Sequence, residues 1–78
     1  MYNLVVDKWA EILNFFKNEF DIADVSFNSW IKPLQVYSVE NNVVTLLFKE
    51  NDAMIEYIKK KFYLPLMTSI QEVICEAL

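Results

Sequence analysis

Phe27-Asn28-Ser29-Trp30-Ile31-Lys32-Pro33-Leu34 is the stretch whose reading decides the fold. Phe27, Trp30 and Ile31 fall at i, i+3 and i+4, so the segment begins as a helix with one strongly apolar face. Pro33 offers no N–H to a continuing helix, and its ring disfavours helical geometry at Lys32. Leu34 then opens a β-rich run. A buried aromatic face and a forced exit thus predict a helix-to-strand joint at the middle of the chain.

Working towards the N-terminus, residues from about Val5 to Phe20 predict an amphipathic helix. Trp9, Ile12, Leu13, Phe16 and Phe20 trace one stripe, while Lys8, Glu11, Asn14 and Asn18 make a wet face. Asp7 near its start and Lys17 near its end both suit the helix dipole. Asp21 or Asp24 is expected to cap the second helix. Asp21 with Asp24 three residues later resembles a weak capping box, which favours the earlier start. So short a helix must lean on the first through Phe27, Trp30 and Ile31.

Towards the C-terminus, Leu34 to Val39 and Val43 to Phe48 are rich in Val, Tyr, Leu, Thr and Phe. Glu40-Asn41-Asn42 between them is a turn signal, because asparagine tolerates the positive φ of a tight hairpin. Val44, Leu46 and Phe48 should share one face of the second strand. Asn51 or Asp52 then caps a third helix with Met54, Ile55, Ile58 and Phe62 inward. The pattern breaks at Leu64-Pro65, and Pro65 suits the first turn of a fourth helix carrying Leu66, Ile70, Val73, Ile74, Ala77 and Leu78. The expected order is ααββαα in a single domain over residues 1–78, an α+β fold with helices packed on a small hairpin sheet.

Composition narrows function mostly by what it excludes. Apolar residues are 55% of the 78, with two tryptophans, four tyrosines and six phenylalanines, enough for a core and unlike a disordered chain. Net charge is −4 and every cation is a lysine, so tight electrostatic binding to nucleic acid is not expected. The sequence has no histidine, arginine or glycine. A phosphate-binding Walker loop, a dinucleotide-binding glycine turn, a Gly-x-x-Gly nucleic-acid loop and any Ser-His or Cys-His pair are therefore ruled out. The carboxylates are spaced like solvated helix faces rather than an acid pair or metal site. No catalytic residue, cofactor site or metal site is expected, and the chain reads as a non-enzyme.

No apolar run approaches the roughly 20 residues needed to span a bilayer, and the N-terminus lacks the features of a signal peptide. Cys75, the one cysteine, cannot form an intramolecular disulfide, which fits a cytoplasmic location. Trp30 reads as core. Trp9 lies on the apolar stripe near a helix start, where a large ring can also anchor a partner. Lys59-Lys60-Lys61 reads as a solvated helix end, with a weak and salt-sensitive nucleic-acid contact as its sharper alternative.

In this order the chain resembles the N-terminal domain (domain I) of the bacterial chromosomal replication initiator DnaA. Trp9 sits in the first helix, well before a second tryptophan. Phe27-x-x-Trp30-Ile31-Lys32-Pro33-Leu34 resembles the family's Phe-x-x-Trp-(Ile/Leu/Met)-(Lys/Arg)-Pro-Leu run and is its structural signature. Asn51 through Phe62 resembles a third family motif, with Glu56, Tyr57, Ile58, Lys61 and Phe62 in its last defined places. The similarity covers about Leu4 to Ile74.

It implies a compact KH-like fold and a docking module rather than a catalyst. It further implies weak self-association through Trp9 with Val5 and Leu13, and contact with replication regulators or the replicative helicase through Asp24, Ser26, Asn51 and Ala53. At most it implies weak binding of single-stranded DNA, for which Lys59, Lys60 and Lys61 are the candidates. Ala53 stands where the family has an aromatic residue, Ser26 where it has an acidic one, and Glu50 where it has a proline. The family's last strand, usual after the final helix, is missing from the pattern.

Overall fold

The computed structural model describes residues 2–48 and 52–77, and it is α+β. Helix α1 (Tyr2–Asp7) runs into α2 (Trp9–Glu19) through Lys8 alone. Lys8 has a distorted backbone (φ −95°, ψ 4°), yet its N–H still reaches the Leu4 carbonyl at 3.0 Å and its own carbonyl accepts from Ile12 at 2.9 Å. The expected first helix is therefore present, extended to Tyr2 and disturbed at one residue. Its stripe faces inward, with Ile12, Leu13 and Phe16 buried and Trp9 and Phe20 half-buried.

Asp21 does not start the second helix; it ends the first. Its φ is 51°, and the Ile22 N–H reaches back to the Lys17 carbonyl at 3.0 Å. This is the 6→1 bond of a Schellman stop, with aspartate in the left-handed position usually held by glycine. Helix α3 (Asp24–Ser26) begins after Ala23, whose extended backbone makes it the N-cap without a side-chain bond. The expectation of an Asp21 start is thus corrected. Aspartate tolerates the left-handed conformation, and a chain without glycine uses it there.

The turn then widens. Phe27–Ile31 is a π-helical turn, closed by the Lys32 N–H on the Phe27 carbonyl at 2.9 Å. Lys32 keeps helical angles (φ −56°, ψ −38°) despite preceding a proline, which corrects the expectation that Pro33 drives it out of that region. The exit comes one step later, where the Leu34 N–H bonds the Ile31 carbonyl at 3.0 Å. Pro33 sits inside that closing turn, where its missing donor is not needed.

Strands β1 (Gln35–Glu40) and β2 (Val43–Leu47) form an antiparallel two-stranded sheet. Asn41 and Asn42 have φ of 51° and 65°, the paired positive values of a type I′ turn. The register slips between Val36 and Ser38, leaving Tyr37 in a bulge on the exposed side. As expected, Val44, Leu46 and Phe48 point inward.

Helix α4 (Asp52–Ala77) is the largest departure. The two helices expected around Pro65 are one, with the proline inside. Proline in a helix interior costs about 3 kcal/mol. Here the cost is outweighed because both halves are held by packing: Ile58, Phe62 and Leu66 bury in one core cluster and Ile74 in another. Ser69, which is 0% exposed, donates its hydroxyl to the Pro65 carbonyl at 2.8 Å and so closes the turn from below. Asn51 and the side chain of Asp52, the expected caps, lie outside what is described.

Two clusters make the interior. The larger joins Leu13 and Phe16 to Phe27, Ile31, Leu34, Phe48 and to Ile58, Phe62 and Leu66 of α4. The smaller joins Val5 and Ile12 to Ile74, with Val36 and Val39 of β1 against it. Trp9 packs on both.

Candidate interaction surface

The signature residues come together as structure. Phe27, Ile31 and Leu34 are buried in the larger cluster, Pro33 is half-buried, and Trp30 packs half-buried at its edge. The Trp30 ring lies 5.2 Å from that of Tyr57, tilted by 54°, which fixes the π-turn to α4.

Of the three residues expected to self-associate, only Trp9 has accessible surface to offer. Val5 is buried against Ile12 and Ile74, and Leu13 is in the larger cluster. Those two assignments are corrected, because both side chains fall on the inward stripe of α1 and α2. The exposed large apolar side chains nearest Trp9 in sequence are Tyr2 and Val6 on α1. The Trp9 indole Nε1 is buried and has no hydrogen-bond partner among the described residues.

Asp24 and Ser26 stand on α3, next to Val25, whose apolar side chain is 78% exposed. Lys17 on α2 forms an ion pair with Asp24 and lies 5.7 Å above the Phe27 ring. The Lys17 ammonium, by hydrogen bonding and then by charge, holds the Asp24 carboxyl below its ordinary range. One lysine thus clamps the short α3 turn onto α2. Ala53 is exposed in the first turn of α4, and Asn51 lies outside the described residues.

Lys59, Lys60 and Lys61 are exposed, but not at the end of a helix, since α4 continues past Pro65. Lys59 approaches Glu56 at 3.9 Å, and Lys61 bonds the Tyr57 hydroxyl at 3.2 Å and lies over the Tyr57 and Phe62 rings. Beside them an open apolar groove runs between β2 and α4, lined by Val44, Leu46, Ile55, Leu66 and Ile70 among others. No group of three or more His, Cys, Asp or Glu side chains that could hold a metal occurs among the described residues. No described helix is long and apolar enough to cross a membrane.

Sequence reasoning missed Val25 and the outer side of α4, where Tyr57, Tyr63, Leu64 and Met67 are exposed. The spacing of Tyr57, Lys60, Leu64, Met67 and Gln71 signals one face of one continuous helix. Splitting that helix at Pro65 concealed it.

The fold and its surface define a small α+β domain that shows apolar side chains beside charges and is built around an aromatic helix-to-strand joint. The chain belongs to the DnaA N-terminal domain family, whose model matches residues 7–72. The chromosomal replication initiator protein DnaA of Lachnoclostridium phytofermentans is 39% identical over 77 residues, covering 95% of this chain. The chain spans 17% of that relative's length. No solved structure matches the chain.

Proposed function

We propose that this domain is a docking module of replication initiation, working in the cytoplasm through two surfaces. On α1, Tyr2, Val6 and the accessible part of Trp9 support weak self-association. Asp24, Val25 and Ser26 on α3, Ala53 in the first turn of α4 and Asn51, which precedes α4 in sequence, meet a replication regulator or the replicative helicase. Val25 carries the reading: an apolar side chain held almost fully in water, on a turn joined to α2 by the Lys17–Asp24 pair, is an anchor awaiting a partner.

The test uses Val6→Glu and Val25→Glu, both at exposed positions that leave the core intact. Val25→Glu should weaken capture of purified replicative helicase or regulator by the immobilised chain about tenfold or more, the loss of one buried apolar anchor. Val6→Glu should weaken self-association in analytical ultracentrifugation. Association of Val6→Glu equal to wild type refutes the α1 contact, and unchanged capture by Val25→Glu refutes the α3 one.

A further inference from the structure

The hairpin sheet is open along one side. The two-residue turn at Asn41 and Asn42 makes Glu40 and Val43 a hydrogen-bonded pair. Alternation along β2 then points the N–H and C=O of Thr45 towards β1 and those of Val44 and Leu46 away from it. The outward groups have no hydrogen-bond partner among the described residues. Helix α1 lies against β1, whereas α4 packs on α1 and α2 and stands off from β2.

The space so left is the open groove between β2 and α4, about 530 Å³ in volume. Its floor is apolar, with Phe48, Ile58 and Leu66 buried, while Leu46, Ile55 and Ile70 stay half-covered along its walls. Lys59 is the one charge among its described lining residues. The ion pair of Lys59 with Glu56 is loose, at 3.9 Å between two exposed side chains.

These features specify the occupant. Outward N–H and C=O groups along a strand edge are satisfied by another extended backbone, not by a helix, whose own groups are already used internally. A strand added at the usual spacing of about 4.8 Å sets every second side chain over the groove and the others in water. Lys59 at the rim favours a carboxylate on the water-facing side and disfavours a basic segment. We propose that the outer edge of β2 takes an extended segment of another protein as a third strand, apolar at alternate positions and carrying an acidic residue beside Lys59. The contact covers few side chains, so it is weak, and backbone pairing gives it orientation. It uses neither the α1 nor the α3 surface proposed above and does not rest on them.

The probe is a soluble nine-residue peptide alternating threonine and valine, with glutamate in place of the central threonine. Added to the purified chain at low salt, it should slow amide hydrogen exchange at Val44 and Leu46 about tenfold or more. N-methylation of alternate peptide amides blocks one edge of the peptide at a time. One methylated set should weaken binding about tenfold or more, and the other should leave it within about twofold. Lys59→Glu, at an exposed position, should bind the glutamate peptide about threefold more weakly and its lysine counterpart more tightly. Val25→Glu should bind the peptide as wild type does, which separates this edge from the α3 surface. Slow exchange at Val44 and Leu46 in the chain alone would show an edge already covered, by a second copy or otherwise, and would overturn the proposal. So would an absence of protection by the peptide, an equal effect of both methylated sets, or binding indifferent to Lys59→Glu. Peptide binding lost in Val25→Glu would place the peptide on α3 and overturn it as well.

Discussion

Single residues decide where elements stop, and here they do so without glycine. Asp21, Asn41 and Asn42 carry all the positive φ values in the described chain. The two asparagines were legible in the sequence, since a hairpin turn between two β-rich runs has few other residues to choose from. Asp21 was not, because aspartate beside a helix serves equally as a start or a stop. Which role it takes is settled by the Ile22-to-Lys17 bond, a contact that spacing alone does not reveal. Asp24 is the second aspartate of that pair and has a different task. Lys17 lowers its pKa, so the ion pair adds stability above the ordinary carboxylate range and loses it as pH falls through the lowered value. Lys17→Met should move the Asp24 carboxyl titration upward in an NMR pH series. The same variant should flatten the acid dependence of stability only slightly, because the pair is exposed and screened. A titration that stays where it was would separate Asp24 from Lys17.

At the scale of elements, the decisive one is α4. Met54, Ile55, Ile58 and Phe62 before Pro65 and Leu66, Ile70, Val73 and Ile74 after it all turn inward as expected. Ala77 is exposed and Leu78 lies outside the described residues. The class and order of elements up to Pro65 were readable. The continuity was not. Helix propensity treats proline as a break, but the larger cluster holds residues on both sides of it, Phe62 and Leu66, and the smaller one anchors Ile74 further on. The missing Pro65 N–H leaves the Lys61 carbonyl short of its helical donor, and the exposure of Lys61 lets water satisfy it. Pro65→Ala should therefore stabilise the chain, by about 1–2 kcal/mol, because it restores that bond and removes the ring from the turn. Urea denaturation measures this as a higher midpoint with an unchanged slope. A midpoint at or below that of wild type would mean that the bend at Pro65 is itself required for α4 to reach both clusters.

For the molecule as a whole, the question is what makes two clusters one cooperative unit. Trp9 packs on both, at the junction where the helix ladder is disturbed at Lys8. The sequence showed Trp9 on the apolar stripe but could not show that its ring spans two cores, since the smaller core forms only when Ile74 returns from the far end of α4. The ring therefore holds the structure together as well as offering some surface. Trp9→Ala should cost about 2–4 kcal/mol, close to the usual loss for a large ring that is incompletely buried. Any effect it has on self-association then mixes folding with contact, which is why Val6→Glu is the cleaner probe of the α1 surface. Trp9→Phe separates ring from polar handle. The indole N–H is buried without an acceptor among the described residues, so removing it forfeits no hydrogen bond and relieves a desolvated donor. Trp9→Phe should cost less than about 1 kcal/mol, against the larger loss for alanine. If phenylalanine proves as costly as alanine in denaturant melts, the N–H has a partner in solution and Trp9 is held at the junction by a hydrogen bond as well as by packing.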